Sequence, residues 1–152
     1  MQITTTYYNS DGFREMGSQT DNLDGYKKWL DIVEPSTDKL AEIQKEYNLD
    51  ESTVNLVNQK AKRPQVRILD NYIFTIILDI HYKTLKQLIV DGIYMFVGKD
   101  WLITIHYSNI DLVGYIKHIF EQQNRKLKDS NIGALFYTII SEVIGRYEQL
   151  LT

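Results

Sequence analysis

The histidines of this 152-residue chain and the carboxylates near them are the side chains best suited to metal or acid–base chemistry. Asp79 and His81 lie two residues apart in an apolar segment, so they share one face if that segment is a strand. If His106 lies on a neighbouring strand, the three side chains would form a metal site or an acid–base cluster. The alternative is that these histidines sit half exposed at strand ends, because no other metal-ligand spacing supports a site.

A second candidate is an acidic stripe. Asp38, Glu42 and Glu46 recur every four residues, which places them on one face of a helix. A hard cation such as Mg²⁺ favours oxygen ligands and keeps part of its water, so this stripe would hold it weakly. The simpler interpretation is that Lys39, Lys45 and solvent offset the repulsion between the carboxylates.

Composition excludes several classes of function. The absence of cysteine rules out disulfides, thiolate zinc sites and cysteine nucleophiles. A formal net charge of -3 opposes nucleic-acid binding and gives no reason to expect docking on an anionic membrane. The sequence contains neither a Gly-x-Ser-x-Gly elbow nor a phosphate-binding glycine pattern, and we therefore expect no enzymatic activity.

Membrane and export signals are also missing from the sequence. No run approaches the roughly 18 consecutive apolar residues of a membrane span. No apolar segment follows a basic start, so no signal peptide is visible. On these criteria alone we expect a soluble cytoplasmic domain, and the length fits one domain with a core.

The elements that must position these side chains follow from the period of the apolar residues. Strands are predicted over residues 2–8 and 28–33, with a loop or weak hairpin over 9–25 between them. Two short helices follow, and we expect Ser36 and Asp50 to cap them. Further strands are predicted at residues 66–68, 72–82, 88–97 and 101–107, with a turn at 98–100.

The last third of the chain is predicted to be helical, and a final helix is expected to start near Ser130. Its apolar residues alternate at spacings of four and three, which is typical of a heptad seam. The pattern runs to the last residue without a closing Gly or Pro, which indicates a helix that continues. The alternative is an ordinary C-terminal helix packed on the sheet. The seam comprises Phe136, Ile140, Val143, Tyr147 and Leu150.

The layering of the fold follows from the strands. The near-continuous apolar run over residues 73–78 indicates a sheet covered on both faces. We therefore predict a single α/β domain over residues 1–152, arranged as an αβα layered sandwich with a long C-terminal helix. Four tyrosines lie in the predicted strands and are expected to pack in the core: Tyr72, Tyr82, Tyr94 and Tyr107.

Several segments in combination resemble the cytosolic domain of CorA-family magnesium and cobalt channels. The most specific features are an Arg-Pro element between short helices and a strand pair, and a Gly-Lys-Asp hairpin before a Leu-Ile-Thr strand. The resemblance covers residues 28–151. The segments are Trp-Leu-Asp-Ile-Val-Glu-Pro at 29–35, Tyr-Asn-Leu-Asp at 47–50, Lys-Arg-Pro-Gln-Val at 62–66, Asp-Asn-Tyr-Ile-Phe-Thr-Ile-Ile-Leu at 70–78, and the hairpin at 96–106.

The resemblance implies an αβα fold with a mixed central sheet, in which residues 130–152 start a stalk that leads to two membrane helices. It implies a homopentamer in the inner or plasma membrane that conducts hydrated magnesium, and often cobalt or nickel. This domain would face the cytoplasm and gate or support a pore whose Gly-Met-Asn signature lies beyond Thr152. Two alternatives stay open: a free-standing soluble ligand-binding or regulatory domain, and a small enzyme that uses Asp79, His81 and His106.

The resemblance also locates a sensing site. Family members often sense magnesium at acidic pairs between neighbouring cytosolic domains, and one such pair corresponds here to Asn55 and Leu56. Because a bridging cation needs carboxylates to offset its desolvation, we expect no tightly bound cofactor and only weak binding of magnesium or another divalent cation. The partner positions on the last helix fall near Ser141, Gly145 and Arg146, and Glu142 is one step from a match.

Overall fold

One mixed sheet runs through the part of the chain that the computed structural model describes. The backbone is described for residues 1–9, 12–15, 25–122 and 132–151, and the side chains for 1–9, 25–119 and 132–145. The strands are β1 (Gln2–Asn9), β2 (Gly12–Glu15), β3 (Lys27–Val33), β4 (Gln65–Ile68), β5 (Ile73–Thr84), β6 (Gln87–Val97) and β7 (Trp101–His106).

The strand order in this sheet is β2-β1-β3-β7-β6-β5-β4. Strands β3 and β7 run parallel, and the other neighbouring pairs are antiparallel. The mixed sheet is therefore confirmed, and so is the hairpin that follows the first strand, since β2 pairs with β1. Residues 10–11 and 16–24 of the predicted loop lie outside the described residues.

The described helices cover both faces of the sheet. They are α1 (Thr37–Tyr47), α2 (Glu51–Asn58), α3 (Leu112–Gln122) and α4 (Ile132–Leu151). The α1 and α2 layer packs on one face, where Val54 and Val57 meet Phe74. The α3 and α4 layer packs on the other, where Ile116 and Ile139 join the cluster around Trp29. The αβα sandwich is therefore confirmed.

The two short helices begin where the sequence predicts. The Ser36 hydroxyl accepts a hydrogen bond from the Lys39 N–H at 3.1 Å. The Asp50 carboxylate accepts one from the Ser52 N–H at 2.8 Å. Each bond satisfies an N–H group that the first turn of a helix leaves without a carbonyl partner. Asn48 ends α1 in the left-handed region, with φ of 53°, which turns the chain into α2.

Helix α4 packs through a face displaced from the predicted seam. Of the seam residues whose side chains are described, Phe136 and Ile140 are only partly buried. Val143 alone belongs to the row of α4 residues that is buried against the sheet. Tyr147 and Leu150 have side chains outside the described residues, and the predicted start at Ser130 lies outside them as well. The buried row of α4 comprises Ile132, Leu135, Thr138, Ile139 and Val143.

Strands β5 and β6 continue past their neighbours. The pairing of β4 with β5 ends at Ile76, and the pairing of β6 with β7 ends at Ile93. Residues 79–91 therefore form a two-stranded ribbon that extends beyond the sheet. Tyr82 lies on this ribbon with 54% of its surface exposed, so its predicted core position is wrong, whereas Tyr72 and Tyr94 are buried as predicted.

Gly92 leaves room for the ring of Tyr94. A Cβ atom at position 92 would lie 2.6 Å from the Tyr94 Oη, which itself donates a 2.9 Å hydrogen bond to the Ala61 carbonyl. We therefore expect Gly92→Ala to lower the free energy of unfolding by about 1–3 kcal/mol in urea denaturation, as overpacking does. The control is Gly145→Ala in α4, where a Cβ meets nothing within 4 Å. It should be neutral or stabilising by up to about 1 kcal/mol; equal losses in both variants would contradict this steric account.

Candidate functional site

A buried polar network joins the two parallel strands. The register of β3 and β7 places Asp31 beside Thr104 and Val33 beside His106. Asp31 is 4% exposed and His106 is fully buried. Trp29 Nε1 donates to the Thr104 hydroxyl at 2.9 Å, and that hydroxyl donates in turn to the Asp31 carboxylate. The network thus ties three side chains of this face of the sheet to one buried carboxylate.

The contacts of His106 determine its protonation state. Its Nε2 lies 3.0 and 3.1 Å from the two Asp31 carboxylate oxygens, and its Nδ1 lies 2.9 Å from the Ser108 carbonyl oxygen. Both partners are acceptors, so each ring nitrogen must carry a proton to form its bond. The geometry therefore favours an imidazolium paired with a carboxylate, a charge-assisted interaction.

The pKa of His106 reflects opposing effects. Burial alone would lower the pKa of this imidazole, because it disfavours the charged form. The hydrogen bond and charge of Asp31, the Ser108 carbonyl and the charge of Asp79 all raise it. The net pKa of His106 lies above its ordinary value, in agreement with the hydrogen-bond geometry.

The predicted cluster of Asp79, His81 and His106 forms only in part. The structure brings Asp79 and His81 together, with the Oδ2 and Nδ1 atoms 3.6 Å apart. His106 bonds to Asp31 instead, and its full burial denies a substrate access to either ring nitrogen. Among the described residues, no group of three or more His, Cys, Asp or Glu side chains is arranged to hold a metal ion. This geometry offers no support for the small-enzyme alternative.

Asp31 is the residue of this site that the sequence reasoning missed. A signal for it exists, because it is the one carboxylate inside the apolar run of residues 29–33. A charge at such a position is rarely buried without a partner. The partner could not be named from local pattern, since it lies 75 residues away.

The sensing positions and the acidic stripe lie on the helices. Asn55 is exposed and Leu56 is partly buried against the α1 and α2 layer. Glu142 is partly buried and accepts a hydrogen bond from the Tyr115 hydroxyl at 3.3 Å. The stripe residues Asp38, Glu42 and Glu46 are exposed, and Lys39 forms a 3.2 Å ion pair with Glu42. Ser141 is exposed and Gly145 is partly buried, whereas the side chain of Arg146 lies outside the described residues.

Two open cavities border the α1 and α2 layer. One, of about 400 Å³, lies between the turn joining α1 to α2 and the turn joining β4 to β5, and it includes Asp50 and Asp70. The other, of about 580 Å³, lies at the carboxyl ends of β3 and β7 and includes Glu34, Lys60 and Tyr107. The Lys60 ammonium lies 4.6 Å from the centre of the Tyr107 ring. The positive charge of this lysine in the second cavity therefore already interacts with an aromatic ring.

Comparison with protein families gives one match that spans most of the chain. Residues 24–152 match the model of a family described as CorA-like Mg²⁺ transporter protein. No curated protein sequence matches the chain significantly. Within the described residues, no helix has both the length and the apolar character that crossing a membrane requires.

Solved structures share the fold at low sequence identity. The CorA magnesium transporter from Methanocaldococcus jannaschii is 19% identical, with a TM-score of 0.73 over 99% of this chain and 47% of its own. The full-length CmaX protein is 14% identical, with a TM-score of 0.72 over 97% of this chain and 46% of its own. The ZntB cytoplasmic domain from Vibrio parahaemolyticus is 13% identical, with a TM-score of 0.70 over 99% of this chain and 62% of its own. At these identities the likeness shows the fold alone, and the chain spans about half the length of the first two proteins.

The Asp31–His106 pair makes stability depend on pH. The pKa of His106 is raised in the folded chain, so its contribution is complete below the unfolded value of about 6.5 and is lost as pH rises through the folded value. We expect the free energy of unfolding, measured in urea, to fall as pH rises above the ordinary histidine pKa of about 6.5.

Two variants distinguish the contribution of the Asp31–His106 pair to this pH dependence from that of other titratable groups. Asp31→Asn should cost about 3 kcal/mol at the acidic end, as the loss of one partner of a buried pair does, and should flatten the pH dependence. The control His118→Gln removes an exposed imidazole of α3 and should keep the wild-type slope. An unchanged slope in Asp31→Asn would contradict the charged pair.

Proposed function

Because this chain belongs to the CorA-like Mg²⁺ transporter family, we propose that it is the cytosolic domain of a divalent-cation channel. The observation that carries the proposal is the family match over residues 24–152. The fold supports it, since the CorA transporter from Methanocaldococcus jannaschii covers 99% of this chain with 47% of its own length. On this proposal, the domain supports or gates a pore formed by other parts of a longer polypeptide that conducts magnesium or cobalt.

The proposal extends to the assembly and its place in the cell. We infer a homopentamer in the inner or plasma membrane, with this domain on the cytoplasmic side. Helix α4 is the candidate stalk, because it is helical to Leu151 and leaves a row of side chains exposed while its opposite side packs on the sheet. The exposed row comprises Ala134, Tyr137, Ser141 and Ile144, and its spacings of three and four suit a further helix–helix contact.

Cation sensing by this domain is proposed to be weak. A cation that bridges two copies loses part of its hydration, and carboxylates must offset that cost. Asn55 supplies at most an amide oxygen, and Leu56 supplies no ligand. Glu142 is engaged with the Tyr115 hydroxyl, so it is a poor replacement. Any closure of the pore by cytoplasmic magnesium would therefore require higher concentrations or other residues.

The transport proposal is tested with the gene that encodes this chain. We expect its reading frame to specify apolar membrane segments downstream of Thr152. The complete product should restore growth of cells that lack magnesium transporters at low external magnesium, and it should raise their sensitivity to cobalt. Residues 1–152 alone should do neither. A reading frame without such segments would instead support the free-standing soluble domain.

The sensing proposal predicts weak magnesium binding by the 152-residue chain. Calorimetric titration should give a dissociation constant of about millimolar or weaker, because the α2 positions lack carboxylates. Glu42→Gln serves as the matched control: it removes one charge from the acidic stripe and should leave the titration unchanged. Tight stoichiometric binding would sink the proposal, and a loss of binding in Glu42→Gln would move the site to the stripe.

A further inference from the structure

The tip of the β5–β6 ribbon combines exposed apolar side chains with two lysines, and we call these residues, 82–88, the knob. Leu85 is 100% exposed, and Tyr82 and Leu88 are 54% and 50% exposed. Residues 80–90 contain no carboxylate, and Lys83 and Lys86 are exposed. Neither lysine forms an ion pair within the part of the chain that the structure describes. Clustered exposed apolar side chains on a projecting element are typical of an interaction surface.

Four apolar residues of the ribbon lie on one face, whereas Ile89 lies on the other beside His81. Tyr82 pairs with Leu88 and Ile80 pairs with Val90 in the β5–β6 register, and side chains two residues apart on a strand point the same way. These four side chains therefore lie on the same face of the strands as Phe74 and Ile76, the face that α1 and α2 cover in the main part of the sheet. A two-stranded ribbon is only marginally stable by itself, so docking of this face and its tip would also stabilise the ribbon.

The cavity of about 400 Å³ at the start of β5 has the complementary character. Asp70 supplies an exposed carboxylate to its wall, and Asp50 supplies a second, of which one oxygen already accepts hydrogen bonds from Ser52. Ile68, which is 82% exposed, supplies an apolar rim, and Tyr72 supplies an aromatic wall. Two ammonium groups therefore complement this cavity in charge, and Ile68 and Tyr72 offer apolar contact to a leucine side chain between them.

The knob and the cavity lie at opposite ends of one strand. The cavity residues 68–72 directly precede β5, whereas the knob includes its last residue, Thr84. Strand β5 has 12 residues, which at about 3.3 Å per residue separates the two features by roughly 40 Å. The tip cannot reach the cavity of its own chain, so a tip that occupies such a cavity belongs to another copy.

We propose that the ribbon tip around Leu85 docks into the Asp50 and Asp70 cavity of a second copy of this chain. Lys83 and Lys86 then face the two carboxylates, and Leu85 packs against Ile68. The contact is head to tail, so repetition produces a closed ring or an open filament according to the rotation between copies. The inference goes beyond the transport proposal, because it names a contact and its residues, and it needs no metal.

Disulfide trapping tests this contact, because the chain has no cysteine of its own. A chain with Leu85→Cys is mixed with a chain with Asn71→Cys, a substitution in the turn that borders the cavity. Mild oxidation should give a heterodimer, and the double variant should give a ladder of oligomers. The matched control mixes Leu85→Cys with His118→Cys, an exposed position on α3, which covers the opposite face of the sheet, and should give little product.

Sedimentation supplies the second measurement. Leu85→Asp, and separately the pair Lys83→Glu and Lys86→Glu, should weaken self-association of the chain roughly tenfold or more. Adding Asp70→Lys to the lysine variant should restore part of it, and Asp50 is left unchanged because its carboxylate caps α2. Leu85→Asp leaves the folded core untouched, so circular dichroism should remain that of the wild type.

Several outcomes would overturn the proposal. A monomeric chain without heterodimer trapping excludes the contact, and disulfides between two Leu85→Cys tips indicate tip-to-tip pairing instead. Co-sedimentation with vesicles of anionic phospholipid that Leu85→Asp abolishes, without self-association, assigns the tip to a lipid surface. None of these readouts involves transport. Failed trapping alongside working magnesium uptake would remove only this contact, and successful trapping without uptake would remove only the transport proposal.

Discussion

The buried Asp31–His106 pair links β3 and β7, the one parallel junction among the described strands. On one side of that junction lie β2, β1 and β3, and on the other lie β7, β6, β5 and β4. Burying two charges is costly unless further hydrogen bonds satisfy them. Here the Thr104 hydroxyl and the Ser108 carbonyl complete the set. A pair satisfied in this way tolerates one register, because a slip of one residue would turn Asp31 to the opposite face.

Local pattern predicted the elements well, because each element follows from a short-range physical cause. Ser36 and Asp50 accept the first free N–H groups of α1 and α2, a relation that spans three residues or fewer. The strand over 73–78 could be recognised as buried on both faces from its continuous apolar run. The contact between Asp31 and His106 has no such signature, since it depends on which strands become neighbours. Sequence pattern therefore favours a cluster of Asp79, His81 and His106, and it misses Asp31 as the partner of His106.

Burial in α4 and in the β5–β6 ribbon depends on neighbouring elements. The apolar residues of α4 form more than one row, and contact with the sheet rather than spacing decides that Leu135 and Ile139 are buried. Tyr82 has the alternating neighbours of a core strand, but β7 ends before the sheet reaches it. In both cases a neighbouring element decides burial: the sheet decides it for α4, and the end of β7 decides it for Tyr82. The position of that neighbour is not encoded in the segment whose burial it determines.

The distribution of charge bears on the proposed contact between copies of the chain. At Asn55 and Leu56 a bridging cation would find no carboxylate to replace its lost water, so metal-dependent contact between copies has little to act on there. Carboxylates are instead placed at Asp50 and Asp70, around a cavity with an apolar rim. The described residues place no third acidic or histidine ligand beside these two carboxylates, whereas Ile68 can pack against an apolar side chain that accompanies an ammonium group. Contacts between copies of this chain would then depend on fixed side-chain charges and salt concentration more than on the concentration of magnesium.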